Sequence, residues 1–122
     1  MIDPASQMLE TAVRHGALWI TILAPRIGQR EVQVMAPKIN EVIEGKHAGV
    51  SRLVLDCSAL TFINSMGLGM CVDARNRAHA NGMTSIAHGL SDDMLELLAV
   101  VKLDRLFTIT KDDAELAHAL GR

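Results

Sequence analysis

Apolar positions along the chain fall into short blocks whose period changes, and the changes mark the elements. Leu9 to Val13 and Ala17 to Leu23 read as two strands around a turn at His15-Gly16, where glycine supplies positive φ. In the second strand Trp19, Thr21 and Leu23 fall on one face, and Leu18, Ile20 and Ile22 on the other. Both faces carry apolar groups, so the strand is expected to be covered at least in part on both sides. Pro25 to Arg30 reads as a loop. Met35, Ile39, Val42 and Ile43 then recur at helical period and predict a helix from about Val34 to Lys46. Pro37 fits only a first helical turn, which places that start near Val34.

Arg52 to Cys57 is apolar on consecutive positions, the pattern of a buried, parallel, central strand. A second helix is expected from Ser65 or Met66 to about Ala80, stopped by Asn81-Gly82. Thr84 to His88 reads as a strand. Ser91-Asp92-Asp93 then caps a helix through about Val101, with acids favourably placed in its first turn. Phe107 to Ile109 is a short strand, and Thr110 to Asp113 reads as a capping box opening the last helix. The order ββαβαβαβα predicts an α/β domain: a mixed, mostly parallel sheet with an N-terminal antiparallel hairpin, flanked by about four helices. In such sheets ligands and partners meet the loops at the carboxyl ends of the strands, and the loop ending at Asn64-Ser65 is one of these.

Composition narrows the function. With 122 residues the chain is one domain, expected to span 1–122. Aromatics are limited to one Trp and two Phe, so the core is aliphatic. A formal charge of −2 and the lack of stacking rings argue against nucleic acid, which needs basic grooves and aromatic platforms. No apolar run approaches the ~18 residues of a membrane span, and the start lacks the basic and apolar regions of a signal peptide. Cys57 and Cys71 form no CxxC pair and sit in apolar patterns, as reduced buried thiols do. A cytoplasmic protein is expected. His15, His47, His79, His88 and His118 show no metal-ligand spacing, and neither a metal nor a cofactor is implied.

The segment Asn64-Ser65-Met66-Gly67-Leu68-Gly69 concentrates the candidate chemistry. As a dinucleotide glycine loop it fails at Val72, where a third glycine belongs, and no phosphate-loop motif occurs elsewhere. As a nucleophile elbow it fails at Ile63, which replaces the first glycine, and no histidine is placed by spacing to serve Ser65. No catalytic residue is assigned. Two readings stay open on the residues alone: Asn64 or Ser65 simply caps a helix, or the same cap carries a regulatory phosphoserine.

The run Leu53-Val54-Leu55-Asp56-Cys57-Ser58 through Phe62-Ile63-Asn64-Ser65-Met66-Gly67-Leu68-Gly69 resembles the STAS domain (sulphate transporter and anti-sigma-factor antagonist). There an apolar strand and "D-x-S" precede "D-S-S-G-L-G" at a helix start. Ala74 to Ala78 with Gly82, Leu103 to Phe107 and Asp113-Ala114 continue the match in order, so the resemblance spans roughly residues 10 to 120. It implies a mixed sheet flanked by helices. In the stand-alone bacterial anti-sigma-factor antagonists it also implies that the motif's first serine, here Ser65, is phosphorylated. The kinase is a partner anti-sigma factor with a histidine-kinase-like ATPase fold, and a PP2C-type phosphatase reverses the reaction. Asn64 and Met66 stand where the family has aspartate and a second serine. Asn64 still accepts a helix-end hydrogen bond but supplies no charge. The runner-up implied by the family is a non-phosphorylated adaptor for a transporter ATPase or signalling complex.

Helical geometry sorts the residues behind Ser65. Gly67, Met70, Cys71, Ala74 and Ala78 share the expected core face, while Gly69, Asp73, Asn76 and Ala80 point away. Leu68, Val72, Arg75 and His79 form a flanking stripe that either packs on a neighbouring helix or docks a partner. The expected partner-binding set is therefore Asn64, Ser65, Met66, Gly67, Leu68, Val72, Arg75 and His79. Self-association stays open, because the first hairpin offers a candidate free edge.

Overall fold

The first hairpin pairs β1 (Leu9–Arg14) with β2 (Ala17–Ile22) in antiparallel register, Arg14 facing Ala17 across His15-Gly16. Both turn residues have positive φ, 54° and 72°, the twist that lets a two-residue loop join strands tightly. A 3-10 turn, Pro4–Gln7, precedes β1. The computed structural model describes residues 3–45 and 47–121.

Beyond the hairpin, β4 (Arg52–Asp56), β6 (Thr84–His88) and β7 (Thr108–Thr110) add to β2 in parallel, giving the order β1-β2-β4-β6-β7. The crossover helices are α1 (Gln29–Glu44), α2 (Ser65–Ala80) and α3 (Asp92–Val100). Each crossover steps one strand in the same direction. With one handedness for all three, the helices must lie on one face. There Met35, Ile39 and Ile43 of α1, Met70, Ala74 and Ala78 of α2, and Met94 and Leu98 of α3 pack on Leu18, Ile20, Leu53 and Leu55. The last helix, α4 (Asp113–Ala119), turns to the other face, where Leu116 and Leu120 close over Ala17, Val54 and Ile86 beside Trp19. This explains the two apolar faces of β2. The expected α/β class, with its antiparallel opening, central β4 and four helices among the described residues, is the architecture found.

Three local expectations are corrected. Helix α1 begins at Gln29, five residues before Val34, and Pro37 lies well inside it. Pro37 is exposed, so its ring faces solvent, while Met35, Ile39 and Ile43 are buried and Val32, Ala36 and Val42 half-buried on the opposite side. Burial of six apolar side chains, at roughly 1 kcal/mol or more each, outweighs a proline cost of ~3 kcal/mol. The start is fixed by Gly28, whose N–H donates to Glu31 Oε1 at 2.9 Å. The expected end at Lys46 lies outside the described residues. Second, the last helix is capped by Asp112 rather than Thr110: Glu115 N–H donates to Asp112 Oδ1 at 2.8 Å, and β7 runs on through Thr110. Third, the Pro25 to Arg30 loop contains a strand. Residues Arg26–Ile27 (β3) pair in parallel with Phe62–Ile63 (β5) in a separate two-stranded sheet.

Candidate functional site

This small second sheet builds the site. β3 follows β2, and β5 follows β4, so the two pairs of neighbouring strands continue past the main sheet at its carboxyl end. Pro25 C=O accepts from Thr61 N–H (2.8 Å) and the Thr61 hydroxyl (2.9 Å), and Ile27 C=O accepts from Asn64 N–H (3.1 Å). Each strand then runs directly into a helix, so the caps Gly28 of α1 and Asn64 of α2 stand side by side. A Cβ on Gly28 would lie 3.6 Å from Asn64 Nδ2 and 3.5 Å from Glu31 Oε1. Two helix N-termini converge here; that of α1 is already met by the Glu31 carboxylate, so the uncompensated partial positive charge is that of α2.

Asn64 is the cap residue of α2, with its Oδ1 accepting from Gly67 N–H at 3.0 Å and its C=O accepting from Leu68 N–H. Ser65 is the first helical residue and is exposed. The N–H groups of Ser65 and Met66 have no acceptor within the helix, as in any first turn. Gly67 is buried against the small sheet: a Cβ there would overlap Ile63 and stand 2.9 Å from Ile27 Cγ2. Gly69, two residues on, is exposed with open space where a Cβ would be. Two large apolar side chains close to Ser65 in the chain are open to solvent. Met66 and Phe62 are each 45% exposed, and the Arg26 guanidinium lies over the Phe62 ring, 4.6 Å from its centroid.

The rest of the expected set is placed as follows. Leu68 is half-buried against the main core, turned toward α3, and with Ile63, Cys57 and Cys71 it lines a small apolar cavity of about 30 Å³. Val72 is half-buried and His79 exposed. Arg75 is tied down, its Nε–H donating to Leu106 C=O at 3.3 Å and its Nη1 to Asn76 Oδ1 at 3.1 Å. Of the α2 stripe, then, Leu68, Val72 and Arg75 are half-buried and His79 alone is exposed. Sequence reasoning missed Phe62 and Arg26. Their signal was an exposed aromatic beside the motif, and their pairing depends on a sheet too short to show a period.

The model of the STAS domain family matches residues 9–116. The chain belongs to the STAS domain family. Among solved structures, an anti-sigma-factor antagonist (STAS) domain protein from Planctomyces limnophilus superposes with a TM-score of 0.79 at 15% identity, covering 93% of this chain and 98% of that one. An anti-sigma factor antagonist from Mycobacterium paratuberculosis gives 0.78 at 16%, covering 98% and 97%. The Bacillus cell fate determinant SpoIIAA in its phosphorylated form gives 0.66 at 15%, covering 91% and 98%. At these identities the likeness shows the fold.

Other reactive groups of this STAS domain are quiet or internal. Burial pushes the Cys71 thiol up to about 12 and the Cys57 thiol well above its ordinary value, so neither is a thiolate near neutrality. His88 is buried at the end of β6, its Nδ1 2.8 Å from the buried Thr110 hydroxyl. Among the described residues no three His, Cys, Asp or Glu gather as metal ligands, and no helix is long and apolar enough to cross a membrane.

Proposed function

We propose that this domain is a cytoplasmic anti-sigma-factor antagonist, a binding protein rather than an enzyme, switched off by phosphorylation of Ser65. The observation that carries the reading is the exposed position of Ser65 as the first residue of α2, with the exposed apolar side chains of Phe62 and Met66 on either side of it in the chain and the α1 N-terminus alongside. Its partner is an anti-sigma factor with a histidine-kinase-like ATPase fold, which also acts as the kinase, and a PP2C-type phosphatase restores the binding form. The contact face comprises Asn64, Ser65 and Met66, with Val72 and His79 further along α2 and Gly67, Leu68 and Arg75 supporting it from beneath.

A phosphate adds about −1.5 to −2 charges and three acceptors. In the free domain it is tolerated, because the unpaired N–H groups of Ser65 and Met66 and the helix dipole favour an anion. In the complex it would be an unpaired charge buried under the partner, at a cost of roughly 2–5 kcal/mol, or on the order of 30- to several-thousand-fold in affinity. The switch therefore acts on the interface and leaves the fold intact. The test follows from that division. Ser65→Asp should raise stability by about 0.3–1 kcal/mol in urea unfolding, yet weaken the anti-sigma complex by tenfold or more in calorimetry. Ser65→Ala should bind normally and accept no phosphate from kinase and ATP. Equal binding by Ser65→Ala and Ser65→Asp would overturn the switch in favour of a constitutive adaptor, the reading that Asn64 and Met66 favour.

A further inference from the structure

The main sheet ends unequally. At one side β7 is a three-residue strand followed at once by α4. At the other side β1 is six residues long with no strand beyond it among the described residues, and from Glu10 to Arg14 every residue is exposed. Val13 alone is 53% exposed. β1 carries no proline, no bulge and, among the described residues, no covering helix; of the devices that blunt an open edge it has only the charges of Glu10 and Arg14, one of each sign.

The hairpin geometry fixes which backbone groups are free. In a two-residue hairpin of this type Arg14 and Ala17 exchange both hydrogen bonds, so Glu10, Ala12 and Arg14 direct N–H and C=O toward β2. Leu9, Thr11 and Val13 direct theirs outward. An antiparallel partner strand must match outward residues to outward residues, which leaves few registers. With a second copy centred on Ala12 facing Ala12, Thr11 faces Val13 twice and Glu10 faces Arg14 twice. The Thr11–Val13 pairs exchange hydrogen bonds between β-branched residues. The Glu10–Arg14 pairs fall at non-hydrogen-bonded positions, where side chains come closest. Centring on Thr11 or Val13 leaves both charges unmatched, and centring on Glu10 sets two carboxylates against each other. Arg14 is held on the face it needs, its guanidinium 4.5 Å from the Trp19 ring centroid, on the side of the sheet that Glu10 shares.

We infer that β1 is a homodimerisation edge, pairing antiparallel with β1 of a second copy in the Ala12-centred register to form a continuous ten-stranded sheet. Two six-residue strands make a small interface, so the dimer is weak, with a Kd on the order of tens to hundreds of micromolar. β2 separates this edge from β4, and β5 and α2 follow β4, so each dimer presents two unobstructed Ser65 sites. The test is sedimentation velocity of the whole chain from about 10 μM to about 1 mM, with a thermal melt of each variant to confirm folding. Glu10→Arg and Arg14→Glu should each weaken dimerisation about tenfold or more, since each replaces two attractive cross-strand pairs with two repulsive ones. Mixing the two single variants should restore a dimer. One strand then carries arginine at both charged positions and the other carries glutamate at both, so each cross-strand pair is attractive again. A chain that stays monomeric to about 1 mM, a dimer indifferent to both reversals, or a mixture that fails to associate would each overturn the inference.

Discussion

Adding one methyl group at either of two glycines in the first turns of α2 should have opposite effects. At Gly67 a Cβ would overlap Ile63 Cγ1 and lie 2.9 Å from Ile27 Cγ2 and 3.0 Å from Ile63 Cδ1. Those side chains belong to β3 and β5, each two residues long and tied to the rest through Pro25 and Ile27 carbonyls. Alanine gains about 1 kcal/mol of helix propensity over glycine, but overpacking costs typically 1–3 kcal/mol. If α2 backs away from the small sheet, the 3.0 Å bond from Gly67 N–H to Asn64 Oδ1 also loosens, for about 1 kcal/mol more. The expected net loss for Gly67→Ala is therefore about 1–3 kcal/mol. At Gly69 no atom lies within 4 Å of the added Cβ, so Gly69→Ala keeps the propensity gain and stabilises by up to about 1 kcal/mol. Urea unfolding of the three proteins under one set of conditions measures both, and for a domain of this size 1 kcal/mol is roughly 3–6 °C in Tm. A Gly67→Ala protein as stable as the wild type would refute the packing of α2 on β3 and β5.

The remaining predictions address the site and the core. Asn64→Asp keeps the cap and should change stability by less than about 1 kcal/mol, while restoring the family's carboxylate beside Ser65; faster phosphorylation in a kinase assay is expected, and an unchanged rate would show that the kinase does not read it. Phe62→Ala removes a ring that is 45% exposed and its stack with Arg26, so it should cost about 1–2 kcal/mol in urea unfolding while the domain stays folded in buffer, and it should lower anti-sigma affinity in calorimetry; unaltered affinity would show that the partner does not cover Phe62. The thiols predict alkaline lability. Both thiols are raised by burial, Cys71 to about 12, so between about pH 9 and about 12 the unfolded chain loses the Cys71 proton that the folded chain keeps and stability falls by up to about 1.4 kcal/mol per pH unit; Cys57 adds a loss of the same sign. Cys71→Ala should flatten that slope when urea midpoints are compared across pH.

What was legible in the sequence was whatever repeats. β2 shows its alternation and β4 its continuous apolar run plainly, and the alternation of strands with helices implies a mostly parallel sheet; that the three crossover helices share one face follows only from the strand order β1-β2-β4-β6-β7, which no period reveals. The start of α1 was hidden by giving Pro37 more weight than it has. One exposed proline removes one backbone bond, whereas Val32, Met35 and Ala36 add a whole buried turn upstream of it. β3 and β5 could not be read, since a two-residue strand has no period and its pairing partner lies 36 positions away, as Thr61 bonded to Pro25 shows. That omission mattered most for the site. The motif's position in the chain was clear, but not the neighbouring cap of α1, nor the Arg26–Phe62 stack.

The structure also sorts the motif into residues the fold requires and residues it does not. Asn64 closes the helix end, and Gly67 is the only residue that fits between α2 and the side chains of Ile27 and Ile63. Their presence follows from local packing, and each would be kept in a domain with no partner. Ser65, Met66 and Gly69 have no such account: all three are exposed, Met66 adds apolar surface to water, and Gly69 weakens the helix where any side chain would fit. On the proposed function, these exposed residues serve something outside the chain. A partner's surface lying against the first turns of α2 would cover Met66, need the missing side chain at Gly69, and enclose whatever Ser65 carries. On that reasoning Gly69→Ala is the more telling of the two glycine variants, because it should make the domain more stable and the complex weaker, a combination that no defect in folding can produce.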